Sequence, residues 1–227
     1  MLSTGDISAF LLTCKLSGIT VLLLLTLGTP LAWWLSQTRS RWRSPIEACI
    51  ALPLVLPPTV LGFYLLLAFS PTGPIGAVIE IMGLPRLAFS FWGLVIGSMV
   101  YSLPFVVQPL LTAFSSINLK LLEAAETLGA GPFDRFVSIV LPMAKIGYLT
   151  AIVLGFAHTM GEFGVVLMIG GNIPGETQVL SIAIYDHVEA LDYGQAHWLS
   201  GILLALSFVV LLIVYSANRR GFKVAAS

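Results

Sequence analysis

Nearly continuous apolar runs, each long enough to cross a bilayer, decide what this chain can fold into. A membrane-spanning helix needs about 20 mostly apolar residues. Five segments meet that requirement, at about 16–35, 48–69, 88–111, 146–169 and 198–215. Hydrocarbon offers no water to a free N–H or C=O, so such runs fold as helices that satisfy their own backbone. A transmembrane β-barrel would need strands of about 10 residues that alternate apolar and polar, which these runs do not do. The 227 residues are 57% hydrophobic and only 10% charged, which excludes both a soluble globular domain and a disordered chain. The expected fold is all-α: one polytopic transmembrane helical domain over residues 1–227, with about five spans.

The few charges then orient the chain. Lys and Arg are retained on the cytoplasmic side in short loops. Arg39, Arg41 and Arg43 lie between the first two spans; Lys120, Arg135 and Lys145 lie between the third and fourth; Arg219, Arg220 and Lys223 follow the fifth. In a five-span chain these loops share one side and hold nine of the eleven basic residues, leaving Lys15 and Arg86 opposite. The expected topology has the N-terminus outside and the C-terminus in the cytoplasm. No basic n-region or small-residue cleavage site marks the first residues, so the first run reads as a retained span. Cys14 and Cys49 fall in or beside apolar runs, as small buried hydrophobes do. No disulfide framework, metal-ligand spacing or cofactor motif is visible. Net charge is zero, and nucleic acid is not an expected partner.

One long polar segment interrupts the middle of the chain, at about 115–142. Asn118 is placed to cap a short helix. Leu121, Leu122, Ala125 and Leu128 make an apolar stripe on that helix at spacings of three and four, while Glu123 and Glu126 face elsewhere. Gly129 ends it, because glycine enters the left-handed C′ conformation without penalty. Gly131-Pro132 starts a second short helix whose apolar face is Phe133, Phe136 and Val137, and Leu141-Pro142 closes the segment. A plain solvated connector has no reason to carry two phenylalanines amid charges. A docking surface accounts for them.

The pattern Glu123-Ala124-Ala125, then Gly129, then Ile139, Leu141 and Pro142 resembles the signature loop of ABC importer permeases. The resemblance spans about 16–215. The run Pro53-Leu54-Val55-Leu56-Pro57-Pro58-Thr59-Val60 is similar to the permease of molybdate importers. So are Gly161-Glu162-Phe163-Gly164 and Asn172-Ile173-Pro174-Gly175-Glu176-Thr177. This implies the type I importer permease fold, in the cytoplasmic (inner) membrane of a prokaryote. It implies a pathway built from two copies of the chain among membrane lipid. Two cytoplasmic ATP-binding subunits would seat on Glu123, Ala124, Ala125, Gly129, Phe133, Ile139, Leu141 and Pro142, and an external binding protein would deliver molybdate. The chain has no Gly-rich phosphate loop ending in Gly-Lys-Ser/Thr, so ATP hydrolysis is expected in a separate subunit and not in this one. Some relatives carry an extra N-terminal span; about 15 residues precede the first run here, so five are expected.

Two regions carry pathway candidates. Glu162 is the one carboxylate in or near the end of an apolar run, and His158 lies four residues before it on the same helix face. Intramembrane ionisable groups are costly and usually functional. Glu162 reads either as a gate or pathway group partnered by His158, or as a residue of the outer interface or of a helix break between Gly161 and Gly164. Direct contact with the oxyanion is disfavoured, since like charges repel. The prolines of the second run read either as a broken helix lining the path, with Thr59 on its polar side, or as a packing kink. The stretch 172–177 is an external turn, and 180–190 an amphipathic segment along the outer interface. Trp33, Trp34, Trp92 and Trp198 are expected as interfacial anchors. Tungstate, sulfate and thiosulfate are alternative cargoes. An ion-coupled secondary transporter is the alternative of a different class, with Glu162 and His158 as its coupling pair.

Overall fold

A computed structural model describes residues 3–225. Among them the chain is helical throughout, with no strand. α1 spans Thr4–Gln37, α2 Arg43–Val55, α3 Pro58–Phe69, α4 Pro74–Ile81 and α5 Phe91–Ser115. α6 covers Leu119–Thr127 and α7 Pro132–Arg135; a π-helical turn, Phe136–Val140, leads through α8, Leu141–Met143, into α9, Lys145–Met160. α10 covers Gly164–Gly170, α11 Leu180–Glu189 and α12 Tyr193–Ala225.

Four apolar stretches are long enough to cross a bilayer: Thr4–Gln37, Pro58–Ile81, Phe91–Ser115 and Tyr193–Ile213. The pair Pro132–Met143 and Lys145–Met160, bent by 70°, makes a fifth crossing when taken as one span. Four crossings, or five with that bent pair, stand beside the five expected, and their boundaries move. The first helix begins at Thr4, twelve residues ahead of the apolar run, because Ser3 caps it: Ser3 Oγ accepts from Asp6 N–H while the Asp6 carboxylate accepts from Ser3 N–H. The second run splits into α2 and α3 at Leu56-Pro57, and the crossing falls in the later part. The fourth run does not continue to residue 169; it stops at Met160 and resumes as α10 beyond Gly161, Glu162 and Phe163. The side chains of Arg219, Arg220 and Lys223, used above to orient the chain, lie outside the described residues.

α1, α5 and α9 form the central layer. Toward one end Leu24, Ala32, Leu35, Val107, Leu110, Phe114 and Ala151 pack together, all fully buried. Toward the other, Leu16, Leu94, Val95, Val166 and Ile182 do the same. Phe69 on α3 packs with Val165 and Ile169 of α10. α11 was expected along the outer interface, but it packs inward: Leu180, Ile182 and Ala183 are buried, and Leu180 N–H donates to Thr13 Oγ1 of α1 at 2.8 Å. The buried end of Thr13 supplies the acceptor that the first turn of α11 lacks. Its outer end is tied by His187 Nε2, 2.9 Å from the capping carboxylate of Asp6.

In lipid, helices associate through close packing of small residues. Gly147 of α9 is such a point, since a Cβ there would stand 2.3 Å from Ala113 Cβ of α5. Gly147→Leu is therefore expected to push α9 off α5 and cost about 1–3 kcal/mol. A clear fall in the thermal midpoint of the purified protein in detergent is the expected readout, and an unchanged midpoint would contradict this packing.

Candidate functional site

The polar segment folds as its sequence dictates. Asn118 Oδ1 accepts from Lys120 N–H at 3.0 Å and caps α6. At the other end Gly129 N–H donates to Glu126 O at 2.9 Å, and Ala130 N–H to Ala125 O at 3.0 Å, with Gly129 at φ +89°. This is the Schellman C-cap, and its left-handed residue is the reason a glycine stands there. Arg135 then ties the two short helices together: its Nη1 lies 2.7 Å from Glu126 Oε2, 13 residues from Leu122, whose carbonyl it also approaches. The result is a compact corner projecting from the helical body.

Its apolar residues divide differently from the stripes read in the sequence. Leu122 is buried in the body, whereas Leu121 and Leu128 face out. Phe136 turns inward and makes edge-on contacts with Trp33 (5.7 Å between ring centres), while Phe133 remains 81% exposed. Trp33 also meets Phe114 edge-on at 5.5 Å, so it locks the corner to α1 and α5 and is no interfacial anchor; Trp34, Trp92 and Trp198 are exposed. A cleft of about 360 Å³ separates the corner from α1, lined by Trp33, Gln37, Glu123, Glu126 and Arg135. Of the predicted docking residues, Glu123, Ala124, Gly129, Phe133, Leu141 and Pro142 are exposed, and Ala125 and Ile139 half-buried. Leu141-Pro142 does not close a loop. It lies inside a helical run from Pro132 to Met160, interrupted only by the bend at Ala144. Proline has no N–H to give and crowds the carbonyl four residues back. The wider turn just before it relieves this, with Leu141 N–H reaching back five residues to Phe136 O.

The pathway candidates converge on a second place. Thr59, His158 and Glu162 line one cavity of about 540 Å³, together with Pro58, Tyr101, Gly161 and Gly164. It lies where two helix breaks meet: a Cβ on Gly164 would stand 2.8 Å from Pro58 Cβ and 3.5 Å from Thr59 N. His158 and Glu162 do not form the expected pair. The helix ends at Met160, so Glu162 leaves the face that carries His158. His158 stacks on Phe105 (3.8 Å between ring centres, 23° between planes), and its Nδ1 lies 2.9 Å from Ser102 Oγ. Glu162 is 3% exposed, and both carboxylate oxygens are buried without a hydrogen bond. It faces Ser98 of α5, whose hydroxyl is likewise unpartnered. Glu162 therefore lines the cavity with both carboxylate oxygens buried in its wall.

A larger groove of about 690 Å³ follows α5 and α9 toward the corner, lined by Phe105, Gln108, Thr112, Ser116, Gly147 and Thr150. Phe105 joins the two, since it lines the groove and stacks on His158. Ser98, Ser102, Tyr101 and Thr159 were not singled out from the sequence. The spacing of four between Ser98 and Ser102 on a proline-bearing helix was the available signal, since it puts two hydroxyls on one face.

The turn at 172–177 is closed by its own hydrogen bonds. Thr177 Oγ1 donates to Gly170 O at 2.7 Å and accepts from Ile173 N–H, while Asn172 and Gln178 both donate to Asp186 of α11.

Residues 25–221 match the family described as binding-protein-dependent transport system inner membrane component. The chain is 57% identical over 218 residues to the molybdenum transport system permease protein ModB of Azotobacter vinelandii, covering 96% of each. Its namesake in Escherichia coli K12 is 36% identical over 94% of this chain and 93% of that one. The sulfate transport system permease protein CysT of Synechocystis is 32% identical over 83% of this chain and 65% of its own. Among solved structures, a bacterial alginate ABC transporter in complex with a periplasmic protein superposes with a TM-score of 0.77 at 22% identity, over 96% of this chain and 80% of that one. The MetNI methionine ABC transporter superposes at 0.71 and 16% identity, over 96% of this chain and 99% of that one. These likenesses establish the type I importer permease fold. The chain belongs to the family of binding-protein-dependent transport system inner membrane components, a multi-pass membrane subunit of a transport system.

Proposed function

We propose that this chain is the permease subunit of an ATP-driven importer of molybdate, in the inner membrane of a prokaryote. The observation that carries this reading is the 57% identity to a molybdenum transport permease across 96% of both chains. Sulfate permeases match at lower identity, 32% over less of their length, which favours molybdate over sulfate as cargo. All 227 residues serve as one permease domain, with its N-terminus outside and its C-terminus in the cytoplasm.

The permease works as a homodimer. Two cytoplasmic ATP-binding subunits seat on the corner formed by residues 115–142. Leu128, 88% exposed, and Phe133 are the apolar contacts, and Glu123 and Ala124 lie beside them. Large exposed side chains on a rigid, capped turn fit a partner groove better than they fit water. An external binding protein delivers the oxyanion at the opposite end. ATP hydrolysis belongs to the partner subunits, and this chain converts their closure into movement of α9. Thr59 and His158 line the pathway. Glu162 stands in its wall as a fixture of the helix break.

The decisive experiment is uptake of radiolabelled molybdate into proteoliposomes holding permease, ATP-binding subunits and binding protein. ATP-dependent uptake is expected. Uptake that persists without the ATP-binding subunits would replace this reading with an ion-coupled transporter. Gly129→Asp is expected to abolish copurification of the ATP-binding subunits or uncouple their hydrolysis from uptake, because φ +89° strains any side chain there. Wild-type copurification and uptake in that variant would count against the docking role. Glu162→Gln is expected to change thermal stability by less than about 1.5 kcal/mol, since the amide keeps the size of the buried carboxyl and the site holds no ion pair to lose. A larger fall in the midpoint would show that the charge has a stabilising partner.

A further inference from the structure

His158 has its ring fixed on three sides and one nitrogen left over. Its Nδ1 lies 2.9 Å from Ser102 Oγ, which in turn lies 2.9 Å from Thr159 Oγ1. Ser102 and Thr159 are 0% and 2% exposed, so each hydroxyl proton needs an acceptor inside the protein. Among the described residues Thr159 Oγ1 has Ser102 Oγ as its partner, and Ser102 Oγ has only Thr159 and His158. Two chained proton orders satisfy the distances; a third, in which Nδ1–H and Thr159 both donate to Ser102, strands the Ser102 proton and fails as the first does. In the first, Nδ1–H donates to Ser102, Ser102 donates to Thr159, and the Thr159 proton is stranded. In the second, Thr159 donates to Ser102, Ser102 donates to Nδ1, and every proton has an acceptor. A stranded buried donor is costly, which selects the second order. Nδ1 is then an acceptor, and the ring proton sits on Nε2.

Nε2 is the edge of the ring left for the cavity. It has no hydrogen bond among the described residues, and it is not among the buried atoms that lack one. The ring cannot readily swing away, being stacked on Phe105 with Tyr101 at 4.7 Å. Glu162 lines the same cavity but shares no hydrogen bond with His158.

We infer that His158 Nε2–H is a specificity-determining hydrogen-bond donor to the tetrahedral oxyanion in transit, held in that tautomer by a Thr159–Ser102 relay. This rests on the importer reading above. Its chemistry suits a cargo whose outer atoms are all acceptors. A donor without a formal charge offers such an anion a foothold that does not trap it, as passage requires.

Two measurements test this on the complete importer. The first is nitrogen-15 NMR of histidine-labelled permease in the assembled complex, with the His158 signals assigned by their loss in His158→Gln. A pyridine-type Nδ1 and a pyrrole-type Nε2 are expected, with the preference lost in Ser102→Ala. A pyrrole-type Nδ1 in the unmodified protein overturns the relay. The second is ATP-driven molybdate uptake. His158→Phe keeps the aromatic stack and removes the donor, and is expected to slow uptake by about tenfold or more at equal complex yield. His158→Gln returns an N–H and is expected to recover most of the rate. Unchanged uptake in His158→Phe, or equal impairment in Phe and Gln variants that both assemble, overturns the donor role. If the Phe variant does not assemble, Ser102→Ala decides: slowed uptake with a changed tautomer supports the inference, and unchanged uptake overturns it. Absence of uptake by the unmodified complex sinks the importer reading instead, and the NMR signals still decide the tautomer.

Discussion

A chain in hydrocarbon must satisfy its own backbone, and this one breaks two helices in the same place. α2 ends at Val55 and α3 restarts at Pro58; α9 ends at Met160 and α10 restarts at Gly164. Broken helices within a membrane are tolerated where protein or a water-filled cavity receives the freed groups. Here the two breaks pack against one another, with Gly164 against Pro58 and the backbone of Thr59, and Ser181 Oγ donates to Glu162 O. α3 and α10 then pack as a pair, and Val165 and Ile169 seal against Phe69. The cavity that holds Thr59, His158 and Glu162 is a consequence of those two breaks. Without Gly164 the approach would be blocked, since any side chain would collide with Pro58.

The corner at the other end is stiff for different reasons. A Schellman cap, an Asn cap and the Arg135–Glu126 ion pair fix its shape. Trp33 and Phe136 fix its attachment, through edge-on ring contacts that reach Phe114 on α5. From Pro132 onward the chain is helical, bend included, as far as Met160. The corner is thus joined through the bend at Ala144 to α9, whose last turn carries His158 and Thr159. Tight packing at Gly147 holds α9 against α5.

The number of spans and the build of the corner were legible because they rest on local physics. Run length gives the crossings, and Asn118, Gly129 and Pro132 each impose one backbone conformation. What failed was tertiary. Leu122 and Phe136 read as surface residues of amphipathic helices, but only the position of Trp33 decides which apolar face turns inward. A helical wheel placed Glu162 over His158, yet Gly161 ends the helix between them and sends the two side chains to different neighbours. The pairing of Ser102 with Thr159 gave no signal because it lies in proximity across 57 residues of sequence. The inward packing of α11 depended on Thr13, a residue no periodicity marks as an acceptor.

Neither the cavity nor the groove is lined by Lys or Arg among the described residues; hydroxyls, the His158 imidazole, the Gln108 amide and the buried Glu162 carboxyl supply the side-chain polar groups. If the proposed pathway runs through them, this constraint has a physical reason. A guanidinium or ammonium in a low-dielectric wall would bind a dianion through several kcal/mol of attraction, and each such site would have to be escaped before the next turnover. Uncharged donors cost less to desolvate and release more readily. Tight capture then falls to the external binding protein, and the permease needs only a succession of weak contacts. Glu162 is the one carboxylate among the described lining residues, and burial of both its oxygens at the helix break keeps like charge out of the open part of the cavity.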